Sequence, residues 1–566
     1  MRDWLVHRAE ATPAATALSV ADGPTRTYRE LDDRVEELAG RLSALGVGVG
    51  THLGVCLPTR PAFVELVHAA MRLGAVLVPL HARSTASELA TRAATADCDL
   101  LCCGAATETT VLTAAEATAD DAADADGDDA ATGESGAVAS DEPGTAGPLP
   151  VATVDRPHEG ATAVGDTAPE TFDLPAWSTT RRLCLLFTSG TTGDPKAVDL
   201  RMGNVLASAT ASAFRLGLDP GDRWFDPLPM SHMGGLAPVY RSVCYGTTLA
   251  LPGPDGSSNE DATGDGTDAA GAVASDDGRY AVGGFDPEAT LAALHDTGAT
   301  CISLVPTMLS RLLDAGSLPD SLRFVLLGGA PATEALLERC FERDVPVAPT
   351  YGMTETASQI ATARPEAARA APGTVGYPLL TSTVTVVDDG TPVDPGERGE
   401  LVVSGPAVTP GYYHDPGATE RAFGPHGFHT GDAGYRNEDG RIRVLDRLDD
   451  RLNPGGETVD PGEVVDVLRA FPGVTDAAVV GLPDEEFGER VAALVVGDGP
   501  DPVTLERHCR DRLAGYKLPR TVGFVDSLPR TASDTVDREA ARECLLDPDA
   551  DATVVELGGE SQATDG

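Results

Sequence analysis

From Tyr28 to Leu45 the apolar residues fall at Leu31, Val35, Leu38, Leu42 and Leu45, the 4-3-4-3 step that lays one stripe along a helix. Short apolar runs follow at Leu53–Leu57, Ala75–Leu80 and Leu100–Cys103, each of strand length. Helical patterns at 60–73 and 84–96 separate them. Parallel strands need a crossover, and a helix supplies it, so this alternation predicts a mostly parallel sheet covered by helices. The alternation resumes from Arg182 to Pro346. From Thr374 to Gly405 the pattern changes. Thr383–Val387 and Glu400–Val403 read as strands between Gly/Pro turns, which predicts a small all-β subdomain. After Arg447 come a helix (Glu463–Arg469), strands (Ala477–Gly481 and Val491–Val496) and a further helix (Val503–Leu513). These are enough for a separate α+β domain of about 100 residues.

Two stretches break the pattern. Residues 116–148 are almost entirely Ala, Asp, Gly, Glu, Ser and Thr, and no Lys or Arg stands between Arg92 and Arg156. Residues 254–277 are similar, and so is the tail from 547 to 566. None holds enough apolar surface to offset the entropy of ordering, so all three are expected to be disordered. The expected division is a large domain over 1–446, a hinge at 447–451, a small domain over 452–546 and the acidic tail.

Charge narrows the function. With 88 acidic against 42 basic residues, the formal charge is −46, which argues against nucleic acid or an anionic membrane as partner. So acidic a surface suits concentrated salt, where self-repulsion is screened, and a halophilic source is expected. The ten cysteines show no zinc-type pairing and read as small core residues in a reducing compartment. No signal peptide is apparent, and no run of about 18 apolar residues occurs, so a cytoplasmic protein is expected. Lysine occurs only at Lys196 and Lys517. Both are candidates for roles that need a compact point charge rather than a planar fork.

The stretch carrying the clearest chemistry is Thr188-Ser189-Gly190-Thr191-Thr192-Gly193-Asp194-Pro195-Lys196-Ala197-Val198, directly after the apolar run Leu183–Phe187. Glycines let backbone N–H groups approach phosphate oxygens, hydroxyls donate further bonds, and the lysine adds charge. The spacing is not that of an ordinary nucleotide P-loop.

The stretch resembles the signature loop of the adenylate-forming superfamily, which includes acyl-CoA synthetases, peptide-synthetase adenylation domains and luciferases. The resemblance implies a loop that holds the β- and γ-phosphates of ATP. It also implies an α/β fold: two α/β subdomains and a small β-barrel-like subdomain in a large N-terminal domain, followed by a mobile α+β domain. Further stretches fall in the family's order. Leu228-Pro229-Met230-Ser231-His232-Met233-Gly234-Gly235 is similar to the acyl-pocket motif, in which His232 would line and gate the acid site. Gly328-Gly329-Ala330-Pro331 resembles the ledge on which adenine stacks. Tyr351-Gly352-Met353-Thr354-Glu355-Thr356 resembles the second ATP motif: Tyr351 would pack on adenine, Thr354 would bond phosphate, and Glu355 would hold Mg²⁺. His429-Thr430-Gly431-Asp432 matches the ribose motif, and Asp446-Arg447-Leu448-Asp449-Asp450 matches the hinge. There Arg447 would reach the ribose and Asp449 would be the pivot. Gly455-Gly456-Glu457 matches a loop lining the pantetheine tunnel.

One departure stands out. The family's C-terminal motif carries a catalytic lysine, and Thr535 occupies that position in Pro529-Arg530-Thr531-Ala532-Ser533-Asp534-Thr535-Val536-Asp537-Arg538. Lys517 is the expected substitute, with Arg538 second; a structural or CoA-facing role for Lys517 stays open. Within the superfamily the stretches around His232, Arg241, Leu326 and Tyr351 most resemble the o-succinylbenzoate–CoA ligases. Arg241 lies in an otherwise apolar segment and requires an anion, which the succinyl carboxylate of such a substrate would supply; a surface position or a structural ion pair stays open. Ser358 is a further pocket residue. The resemblance thus implies an acid–CoA ligase that uses ATP, Mg²⁺ and CoA. A ligase for another aromatic or fatty acid, or a relative impaired in adenylation, remains an alternative. Homo-oligomerisation is left open.

Overall fold

The leucine stripe forms the helix Tyr28–Ala44. Its start is fixed by a reciprocal cap: the Glu30 N–H donates to the Thr27 hydroxyl at 3.2 Å, and the Thr27 N–H donates to the Glu30 carboxylate at 2.7 Å. Leu31, Val35 and Leu42 are buried, and Leu38 and Leu45 pack partly buried against the same core.

The computed structural model describes residues 2–125, 148–158, 160–188, 195–254, 285–448, 452, 454, 459, 461–484, 488–497, 501–530, 536–547 and 553–556. The expected alternation appears as two sheets. One has seven strands in the order Thr162–Ala163, Val151–Thr153, Leu100–Cys103, His52–Cys56, Val76–Leu80, Arg182–Thr188 and Lys196–Arg201. It is parallel except for its last pair, in which Lys196–Arg201 runs antiparallel to Arg182–Thr188. The second sheet has nine strands, with Val347–Met353, Phe324–Leu327, Cys301–Leu304, Arg223–Phe225, Thr248–Leu251 and Thr16–Val20 as its parallel centre. The near-continuous burial of these central strands explains why they read as unbroken apolar runs.

The all-β segment is a six-stranded antiparallel sheet that includes Thr383–Asp388, Arg398–Ser404, Gly427–Arg436 and Ile442–Arg447. The C-terminal region has its own four-stranded sheet, Val474–Asp484, Gly488–Gly497, Thr521–Val525 and Thr553–Glu556. The helices Pro461–Arg469, Pro502–Arg510 and Arg538–Leu546 accompany it, and it has separate apolar cores.

Two expectations of disorder are corrected. The helix Glu108–Ala125 runs on past 116, because an alanine-rich segment is a strong helix former and Val111, Ala114 and Ala115 anchor its first turns in the core. In the tail, Thr553–Glu556 pairs antiparallel with Thr521–Val525; its Thr-Val-Val run suits a pleated edge. Residues 126–147, 255–277, 548–552 and 557–566 lie outside the described residues. All ten cysteines are free, and eight are buried. Among the described residues no helix is long and apolar enough to cross a membrane.

Candidate active site

The run Leu183–Phe187 is a strand as expected, Arg182–Thr188, but it does not lead into a helix. It turns back as an antiparallel hairpin in which Thr188 is paired with Lys196. Thr188 and Lys196, at the two ends of the expected phosphate loop, are therefore fixed by strand register. Ser189, Gly190, Thr191, Thr192, Gly193 and Asp194 lie outside the described residues. The Lys196 ammonium stands 5.5 Å from the centre of the Tyr412 ring.

A second group is held at the ends of neighbouring strands. Gly329, Ala330 and Pro331 follow the buried strand Phe324–Leu327 as an exposed ledge, with Gly329 at φ +82°. The Tyr351 hydroxyl donates to Asp432 at 2.5 Å, and Arg447 lies 3.4 Å from the other carboxylate oxygen. Asp432 and Arg447 are direct partners in the β-ladder, so the expected ribose aspartate and hinge arginine are brought together by register. Asp432 is buried, and its backbone N–H donates to the Thr430 hydroxyl at 3.1 Å. A carboxylate fixed in this way presents acceptors to a pair of hydroxyls.

Glu355 follows the strand Val347–Met353, in the short turn Thr354–Thr356. It is buried, and burial raises its carboxyl above the usual range, with the Tyr412 hydroxyl and Arg447 pulling the other way. Tyr412 donates to it at 3.0 Å. A cation beside this carboxylate would offset the cost of burying its charge. Among the described residues no group of three or more His, Cys, Asp or Glu side chains forms a metal cage. Magnesium usually takes one or two carboxylates together with substrate phosphates, so Glu355 fits it. Gly352 is required here, since a Cβ on it would stand 1.8 Å from the Ser358 carbonyl oxygen. Ala357 (φ +50°) and Ser358 (φ +110°) adopt left-handed backbone that non-glycine residues rarely hold, a strain typical of working sites.

The residues expected to line the acid site sit on and before the helix Met233–Tyr245, with His232 as its N-cap residue. The shielded Nε2 of His232 has no partner among the described residues. Burial lowers its pKa to about 4, helped by Arg92 and Arg83, so the ring is neutral at pH 7. His81, on which no motif falls, lies against it with ring centres 5.4 Å apart. Its Nδ1 accepts the Arg83 N–H at 3.2 Å, and burial first, then His232, lowers its pKa to about 4. On the same helix as His232, Arg241 is 3% exposed. Its guanidinium donates to the Ser208 hydroxyl at 3.3 Å, and that hydroxyl in turn donates to the Ala357 carbonyl at 2.6 Å, next to Ser358. No carboxylate pairs with Arg241 among the described residues. Burial lowers its pKa, as expected of a cation without an anionic partner.

Among the described residues Lys517 has no bond or ion pair to these groups. It pairs with Glu463 at 2.6 Å within the small domain. Asp449, Gly455–Glu457 and Thr535 lie outside the described residues. Tyr412 and His81 escape a reading of the sequence because nothing in their neighbouring residues marks them. The only signal is the tyrosine pair Tyr412-Tyr413 after Gly411, in a loop with no periodicity.

The AMP-binding enzyme family profile matches residues 5–264 and 280–413, and the AMP-binding enzyme C-terminal domain profile matches 463–534. The chain is 35% identical over 539 residues to the 2-succinylbenzoate–CoA ligase of Bacillus licheniformis, covering 95% of this chain and 98% of that one. The o-succinylbenzoate CoA synthetase of Bacillus subtilis in complex with its acyl-adenylate intermediate OSB-AMP has a similar structure. Its TM-score is 0.79 at 31% identity, covering 96% of this chain and 98% of that one. The same enzyme with ATP and magnesium ion also gives a TM-score of 0.79 at 31% identity, with coverage of 95% and 99%. Profile, relatives and geometry agree, and the chain belongs to the AMP-binding enzyme family.

Proposed function

We propose that the protein is an AMP-forming acid–CoA ligase. It converts 2-succinylbenzoate, ATP and CoA to 2-succinylbenzoyl-CoA, AMP and diphosphate through an acyl-adenylate, as a step in menaquinone biosynthesis. A carboxylate is a poor electrophile, so its oxygen attacks the α-phosphorus of ATP and diphosphate leaves. In this reading Thr188 through Gly193 and Lys196 hold the β- and γ-phosphates. Gly329, Ala330, Pro331, Tyr351 and Gly352 bound the adenine, and Asp432 accepts bonds from the ribose hydroxyls beside Arg447. Thr354 bonds phosphate. Magnesium held by Glu355 and the triphosphate would neutralise charge on the leaving diphosphate. His232, neutral at pH 7, lines the acid site. The CoA thiol then attacks the acyl carbonyl, and the C–O bond to AMP breaks with AMP as the leaving group. Lys517 is the cation assigned to the α-phosphate, and Asp449 is the pivot about which the small domain swings.

The choice of acid rests on Arg241. A guanidinium 3% exposed, met among the described residues by a serine hydroxyl and by no carboxylate, favours an anionic ligand. A mono-acid spends its single carboxylate on ATP, whereas the succinyl carboxylate of 2-succinylbenzoate remains for Arg241, with Ser358 beside it. The sequence keeps Lys196, His232, Glu355 and Asp432, and this favours a working ligase over a nucleotide-binding relative. The test is turnover of 2-succinylbenzoate, benzoate and octanoate by wild type and Arg241→Ala. Wild type is expected to prefer 2-succinylbenzoate, and the variant to lose about 100-fold in kcat/KM for it, the usual range for an unpaired buried charge. Benzoate turnover should hardly change. Preference of the wild type for octanoate would overturn the substrate assignment.

A further inference from the structure

Lys196 and Glu355 belong to different sheets. Lys196 opens the edge strand of the seven-stranded sheet, and Glu355 follows a strand of the nine-stranded one. The segment 409–415 joins them. On one side Asp199 N donates to Gly411 O at 3.0 Å, Tyr413 N donates to Ala197 O at 2.7 Å, and Tyr412 forms an antiparallel bridge with Val198. On the other side Thr409 N donates to Glu355 O at 2.7 Å, and the Tyr412 hydroxyl donates to Glu355 Oε1 at 3.0 Å. The ring of Tyr412 is also the face over which the Lys196 ammonium sits at 5.5 Å. The Tyr412 N–H donates to the Thr419 hydroxyl at 2.9 Å, which pins the residue from behind.

We propose that Tyr412 is a positioning residue that ties the loop lysine Lys196 to Glu355 and holds the Glu355 carboxylate in place for the divalent cation that enters with ATP. The proposal rests on the ligase reading above. A carboxylate fixed by one phenolic donor keeps acceptor capacity for a cation, and the shared tyrosine places that cation and the lysine on the same triphosphate.

The test is calorimetric titration of ATP, without acid and therefore without turnover, once with Mg²⁺ and once with EDTA. Tyr412→Phe is expected to bind ATP about tenfold more weakly than wild type in Mg²⁺, as befits loss of one bond to a charged group, and equally well in EDTA. Thr419→Val should shift Mg²⁺-dependent affinity the same way by less, and it decides the matter if Tyr412→Phe melts early. In a Glu355→Gln background Tyr412→Phe should add nothing. Equal affinity of wild type and Tyr412→Phe in Mg²⁺, or an equal loss with and without metal, overturns the proposal while leaving the ligase reading intact. Failure of the wild type to bind ATP at all overturns both.

Discussion

His68 stands in the middle of the helix Pro61–Leu73, fully buried, and neither ring nitrogen has a partner among the described residues. Burial, with a smaller push from Arg72, lowers its pKa from 6.5 to about 3. His81 and His232 are lowered to about 4, again chiefly by burial. A histidine whose folded pKa is depressed binds its proton more readily unfolded. Its contribution is therefore complete above pH 6.5 and is lost as pH falls toward the folded values. The three rings together make the folded state acid-sensitive between about pH 6.5 and 4. For His68→Leu the expected result is stability at pH 7 unchanged or higher by about 1 kcal/mol, since an unsatisfied polar group leaves the core. Its loss of stability from pH 6.5 to 4.5, read from urea midpoints, should be shallower than that of wild type. Parallel acid limbs for the two proteins would contradict a buried neutral His68.

At the scale of elements, the small domain is where the ligase reading needs a cation. Lys517 ends the turn Gly515–Lys517 and reaches the helix Pro461–Arg469 through Glu463. Such a partly exposed pair is worth little to stability, of order 0–1 kcal/mol, whereas a cation on a transition-state phosphate is worth several. Lys517→Ala is therefore expected to lower ATP–diphosphate exchange by about 100-fold while the melting temperature hardly moves. Unchanged exchange would leave Lys517 with the ion pair alone. Several elements were legible from their pattern: the stripe of Tyr28–Ala44, the buried runs at His52–Cys56 and Val76–Leu80, and the paired strands Val474–Asp484 and Gly488–Gly497. The first turns of Glu108–Ala125 sit on the core, but past 116 the helix has an alanine-and-acid composition that is also the composition of disorder. Thr553–Glu556 is too short to show a period and gains order only from its neighbour strand. Site motifs were legible where their residues are contiguous, as at Tyr351–Glu355 and His429–Asp432. The bond from Tyr412 to Glu355 and the tilted contact between the His81 and His232 rings join positions 57 and 151 residues apart, and no local pattern encodes them.

Across the whole molecule the strongest influence is a formal charge of −46. Many arginines are already committed: Arg60 to Asp155 at 2.8 Å, Arg72 to Asp3 at 3.0 Å, and Arg34 to Glu65 at 2.6 Å, all with buried or half-buried partners. Pairs so enclosed feel salt weakly. Many of the described carboxylates, Asp33, Glu36 and Glu37 among them, are exposed, and like charges there repel across a Debye length of about 10 Å at 0.1 M salt and about 3 Å at 1 M. Added salt therefore relieves repulsion in the compact state more than it weakens the internal pairs, which is the physical content of a halophilic reading. The melting temperature is expected to rise by at least about 5 °C between 0.1 and 1 M KCl, a shift of about 6 kcal/mol for a chain of this size. It should then flatten, because further shortening of the Debye length has little left to screen. A steady rise through 3 M would assign the effect to exclusion of salt from the protein surface instead. A melting temperature that stays level or falls from 0.1 to 1 M would show that the acidic surface does not limit stability.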